Sequence, residues 1–116
     1  MYRLAYAEAA SEGWQENRQL ERQAFLKSIE LMERAEMAGM KSSEAIEAAV
    51  FVTRLWCHLI EDLGRDDNHL ALELRARLIS IGLFLIRVAD DVKSGKQESF
   101  RPMIEITASI AEGLKA

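Results

Sequence analysis

Apolar residues recur at helical intervals in four stretches of the chain, with polar residues between them. In the first, Leu20, Ala24, Leu31, Ala35 and Ala38 share one stripe, widened by Phe25, Ile29 and Met32. This predicts a helix from about Ser11 or Gly13 to Ala38, with Glu30 and Arg34 paired on its outside and Gly39 as its stop. The second helix starts at Ser42 or Ser43, either a competent cap, and runs to Leu63 before Gly64. Ala45, Ala48, Ala49, Val52, Leu55, Trp56, Leu59, Ile60 and Leu63 cover more than half its circumference. Glu47, Arg54, His58, Glu61 and Arg65 form one narrow polar stripe, so this helix is expected to be buried on several sides.

The third helix follows the loop Arg65-Asp66-Asp67-Asn68, with Asp67 or Asn68 as its cap, and reaches about Val92–Ser94. Its expected buried set is Leu74, Leu78, Ile79, Ile81, Leu85, Ile86, Val88 and Val92. Gly82 stands opposite the polar stripe and signals close helix approach rather than a break. Ser99 caps a last helix with Pro102 in its first turn, where proline is tolerated. Met103, Ile106, Ile110 and Leu114 form one face of it, with Phe100, Ile104 and Ala111 alongside. The fold class is therefore all-α. The expected architecture is a compact bundle of about four helices, in which helices two and three form a central antiparallel hairpin.

Composition narrows the class further. One proline, six glycines and no Asn-Gly or Asp-Gly pair leave too few turns for a β sandwich or barrel. The 116 residues allow a single domain, 1–116. Fifteen Lys and Arg against nineteen Asp and Glu give −4, and no segment is basic, so direct nucleic-acid binding is not expected. The apolar runs fall far short of the ~20 residues that span a bilayer. The first residues lack the pattern of a signal peptide. A lone cysteine, Cys57, fits a reducing cytoplasm.

Catalytic and metal-binding patterns are weak. Asp62 to Glu73 begins and ends like a calcium loop, but Gly64 offers no ligand at the third position and Asp67 replaces the required glycine. His58 and His69 do not form the Glu-x-x-His pairs of a di-iron bundle, and they are too few for a zinc site. Cys57 has no histidine base beside it on the helix and reads as a small core residue. No cofactor, metal or catalytic residue is expected, and the chain reads as a non-enzymatic binding protein.

Two aromatics stand inside polar stripes, Phe51 on helix two and Phe84 on helix three. A hairpin places them at similar heights. Either they form an apolar patch that takes a partner's amphipathic helix, or the first or last helix covers them. Tyr2, Leu4, Tyr6 and Trp14 are unusual for a tail. Residues 1–12 either pack back on the bundle or form a partner-binding arm, with Tyr2 and Tyr6 its candidate contacts.

In order along the chain, Tyr2 with Tyr6, Arg18 with Glu21-Arg22, Arg54-Leu55-Trp56 and Leu59-Ile60-Glu61-Asp62-Leu63 resemble the FlaF flagellar biosynthesis proteins of alphaproteobacteria. Asn68 with Leu70 adds to the likeness, as do Ile104-Glu105-Ile106 and Gly113-Leu114. The most specific run is Glu73-Leu74-Arg75-Ala76-Arg77-Leu78-Ile79-Ser80-Ile81-Gly82-Leu83. Relatives are expected to carry proline near Ala71 and asparagine near Thr107, a helix start and a last-helix surface. The resemblance implies a small cytoplasmic helical protein needed for flagellin production and export. It implies flagellin as partner of a secretion chaperone, and a bundle with extensive apolar helices suits contact with flagellin's amphipathic terminal helices. A post-transcriptional regulator of flagellin synthesis working with an FlbT-like partner, and a self-assembling structural subunit, are the alternatives.

Overall fold

A computed structural model describes the backbone of residues 4–113 and the side chains of residues 21–113. Its elements are α1 (Leu4–Ala38), α2 (Ser43–Leu63), α3 (Leu72–Lys93) and α4 (Arg101–Gly113), with no strand among the described residues. α1 starts earlier than the apolar period predicts. Ala5, Ala7, Glu8, Ala9 and Ala10 are strong helix formers, and Gly13 costs a helix interior only about 1 kcal/mol. Residues 4–12, read as a candidate arm, thus carry helical backbone. At ~1.5 Å per residue, the 35 residues of α1 account for the 52 Å long dimension of the molecule.

Local chemistry sets the other boundaries. The Ser42 hydroxyl accepts from the Ala45 N–H at 3.1 Å and begins α2, with Glu44 in the first turn. Gly39 (φ 106°) and Gly95 (φ 75°) adopt left-handed backbone just after α1 and α3, where any side chain would be strained. At the start of α3 the expected cap is absent. Ala71 occupies that position without a side-chain bond, because Asn68 and Asp67 are engaged within the loop. α4 is capped from elsewhere in the chain. One carboxylate oxygen of Glu36, on α1, accepts from both the Ser99 hydroxyl and the Phe100 N–H. Ser99 in turn accepts from the Arg101 N–H at 2.9 Å. At the opposite end, Arg22 Nε donates to the Ala111 carbonyl at 3.3 Å. Opposite charges from α1 therefore grip both ends of the α4 dipole.

α2 lies between α1 and α3, while α4 packs along α1. The α2–α3 contact is the most extensive, as the hairpin reading requires. The Trp56 indole is buried at 2% exposure and tilts against Phe25 of α1, with ring centroids 5.6 Å apart. On its other side it lies over Gly82, where an added Cβ would stand 2.4 Å from Trp56 Cε3 and 3.0 Å from Ile60 Cδ1. Gly82 is thus the point of close helix approach. At the hairpin tip, Arg75 Nη1 donates to the carbonyls of Leu63 (3.2 Å) and Arg65 (3.0 Å). These two anchors fix the register, and following both helices from them puts Leu83 level with Cys57.

The core combines Phe25, Leu31, Met32 and Ala35 of α1 with the small and large apolar residues of α2. Ala38, in the last turn of α1, is exposed, while Ile29 is half-buried against the core. The Glu30–Arg34 pair forms on the outside at 2.7 Å. On α4 the buried side is Met103, Ile104, Thr107 and Ala111, with Phe100 fully enclosed just before the helix. Ile106 and Ile110 are only half-buried, so the buried face is rotated from the expected one, and Thr107 is interior rather than surface. Leu20 and Leu114 have no described side chain.

Three substitutions test this arrangement. Gly82→Val forces a side chain into a buried indole and is expected to cost at least about 2–3 kcal/mol in urea denaturation. Gly113→Ala, whose added Cβ would meet nothing within 4 Å, should change stability by less than about 0.5 kcal/mol. Glu36→Ala removes the cap of α4 and should cost about 1–2 kcal/mol, with hydrogen exchange accelerating in α4 before α2.

Candidate partner-binding groove

Leu74, Leu78, Ile81, Leu85, Val88 and Val92 form one stripe about 80° wide on α3. Its C-terminal half, Leu85, Val88 and Val92, is buried. Its N-terminal half is not: Leu74 is 43% exposed, and Leu78 and Ile81 are half-buried. The difference arises because α4 follows α1 instead of crossing to α3. At that end of the bundle the missing cover leaves a cleft of about 470 Å³, within the ~300–1,000 Å³ usual for binding pockets. Phe25, Trp56, Leu59 and Leu63 form its floor, Leu74 and Leu78 one wall, and Ile110 with Gly113 the other.

Polar groups occur at the edge. Glu21, Asp62, Asn68 and Ser109 border the cleft, two of them acidic. The loop carrying Asn68 is shaped by its own bonds. Asn68 Nδ2 donates to the Asp62 carbonyl at 3.2 Å and to Asp62 Oδ2 at 3.3 Å, while Asn68 Oδ1 accepts from the Leu70 N–H at 3.0 Å. That turn holds Leu70 at the mouth of the cleft. Beside it the Arg65 guanidinium makes two 3.1 Å bonds to Asp67. Hydrogen bonding and the adjacent positive charge hold the Asp67 carboxyl below its ordinary value, and the same pair raises Arg65. A lowered carboxyl value means this clasp is present at neutral pH and is lost as pH falls through it. Both groups are exposed, so the clasp shapes the loop and adds little to stability.

The residues singled out in the sequence lie elsewhere. Phe51 is half-buried against the core, and Phe84 is 43% exposed on α3. With Trp56 and Gly82 marking the sides of the hairpin that face each other, Phe51 and Phe84 project from its opposite edges. The structure does not bring them together, and neither lines the cleft. Tyr2 lies outside the described residues, and the Tyr6 side chain does as well.

Cys57 is exposed, not a core residue. It sits about 100° around α2 from Trp56, beyond the arc that faces α1 and α3. His58 is exposed and His69 half-buried. Among the described residues no three His, Cys, Asp or Glu side chains converge where a metal ion could be held. Asp62 and Glu73, the ends of the calcium-like spacing, belong to separate helices; Asp62 accepts from Asn68, and Asp67 in the loop between them is engaged by Arg65.

The cleft residues could have been noticed from the sequence only indirectly. Leu74 and Leu78 read as core by periodicity, and their exposure depends on the path of α4, which no local pattern encodes. What the run Glu73–Leu83 does contain is a wall of the cleft, the Arg75 clamp on α2 and the Gly82 contact. The profile of the flagellar protein FlaF family matches residues 2–114, spanning all four helices and every residue of the cleft. The chain belongs to the FlaF family. FlaF proteins are flagellar, and this member is built of helices, none of them, among the described residues, long and apolar enough to cross a membrane. Neither the curated proteins nor the solved structures yield a match.

The cleft of this FlaF-family protein should take up an apolar probe such as anilinonaphthalene sulfonate. Leu78→Glu is expected to cut the dye's fluorescence gain severalfold while leaving far-UV circular dichroism unchanged, whereas Phe84→Ser should leave both as they are.

Proposed function

We propose that this protein binds flagellin in the cytoplasm as a secretion chaperone, supporting its synthesis and export. The observation that carries this reading is the apolar cleft between α3 and α4, joined to membership of a flagellar family. An open cleft floored by Trp56 and walled by Leu74 and Leu78 suits the apolar face of an amphipathic helix, which inserts side chains at i, i+3/i+4 and i+7 spacing. The terminal helices of an unpolymerised flagellin are segments of that kind. Covering them would prevent premature assembly and keep the subunit ready for export. An acidic chain is poorly suited to grip mRNA, so an influence on flagellin translation would run through which protein is bound.

Mixing the full chain with monomeric flagellin and following size-exclusion chromatography and calorimetry tests the reading. Co-elution at micromolar concentration is expected, weakened at least about tenfold by Leu78→Glu and lost when flagellin's terminal helices are trimmed. Absence of binding at these concentrations removes the chaperone reading. It would turn attention to a regulator acting with an FlbT-like protein.

A further inference from the structure

The α2–α3 hairpin has a second apolar face, on the side away from α1 and α4. Trp56 and Ile60 against Gly82 define the sides by which the two helices meet. From that line, the core residues Val52 and Leu59 of α2 and Leu85 and Val88 of α3 are rotated toward α1 and α4. Antiparallel helices rotate in mirror sense, so residues turned the other way by a similar angle share the opposite face. These are Ile46, Val50, Thr53 and Cys57 on α2, with Ile79 and Leu83 on α3 and Ile86 close to the line. Ile46 is 42% and Leu83 52% exposed, Cys57 is exposed, and Val50, Thr53, Ile79 and Ile86 are half-buried. Asp90, near one end, is the only charged residue among the described residues on this arc.

Two features of this face suit one particular occupant. The first is self-complementarity. α2 presents the short side chains Thr53 and Cys57 at the heights where α3 presents Ile86 and Leu83. A twofold axis running parallel to the helices lays α2 of each copy on α3 of the other without changing heights. Leu83 then falls on Cys57 of the second copy, and Ile86 on Thr53 of the second copy, twice over by symmetry. The second feature is size. Two helices side by side, about 20 Å wide and about 30 Å long, offer on the order of 600 Å² from each copy, so ~1,200 Å² in total, above the ~1,000 Å² a specific interface needs. Asp90 is the one charge the arc carries and falls near Val50 of the second copy, so the desolvation cost of the approach is confined to that end.

We propose that this face binds a second copy of the chain, forming a twofold dimer with α2 packed on α3 across the interface. The cleft described above lies on the other side of the hairpin. Each dimer therefore presents two clefts, facing away from each other, and stays competent to bind at both.

Light scattering coupled to size-exclusion chromatography, run on the full chain from about 1 to 200 micromolar, reads the assembly. A mass approaching twice 13.1 kDa at the upper end is expected. Leu83→Asp should weaken association at least about tenfold while preserving helicity and, at concentrations where the natural chain is monomeric, the melting temperature, because Leu83 is exposed in the monomer. The packing is tested by mild oxidation of the natural chain mixed with a Leu83→Cys/Cys57→Ser variant. A disulfide between the two kinds of chain is expected, with little linkage within either kind alone. A monomer throughout the range overturns the proposal and leaves the face to a different protein. An unaltered dimer in Leu83→Asp, or dominant Cys57–Cys57 linkage in the natural chain, overturns this face or this packing.

Discussion

The indole of Trp56 touches two other helices at once, and the arrangement of both follows from it. Against Phe25 it sets how α1 lies on α2. Over Gly82 it lets α3 approach to a distance that any side chain at that position would forbid. Close approach also locks register, since a single absent Cβ can accommodate a large ring at only one height. Once Trp56 is seated on Gly82, the sides of both helices are assigned: one toward α1 and α4, one toward the facing helix, one outward. The cleft floor, the second apolar face and the opposed positions of Phe51 and Phe84 are consequences of that assignment.

The cleft itself exists because of where α4 goes. Glu36 draws the beginning of α4 to the end of α1, and Arg22 holds its last turn. Fixed at both ends to one helix, α4 cannot also lie over the N-terminal half of α3. Leu74 and Leu78 are left partly open to solvent. Polar contacts at two helix ends, each modest in energy, thus decide which apolar surface the protein shows.

Much of this was legible in the residues, and the failures have physical causes. The breaks at Gly39, Gly64 and Gly95, the Ser42 cap and the multiply buried α2 all follow from periodicity and turn chemistry, which act locally. Gly82 was readable as a close approach because it interrupts no helical period and stands opposite the polar stripe of α3. Cys57 was misplaced because an apolar neighbourhood in sequence is not one in space: a shift of one residue turns a side chain about 100°. The faces of α3 and α4 were misjudged for another reason. Periodicity states which residues share a side and is silent on what covers that side. Long-range contacts such as Glu36 with Phe100 decide the cover, and nothing near either residue announces the other.

Those long-range contacts also order the assembly of the chain in time. The hairpin joins α2 to α3 across a short loop, so its contacts close at small entropic expense. α4 reaches its place only by bringing together residues 64 and 89 positions apart. Such contacts raise contact order and are gained late, after the elements they join have formed. The wall formed by Ile110 and Gly113 is thereby carried by an element placed through distant contacts, whereas the Trp56 floor belongs to the locally closed hairpin.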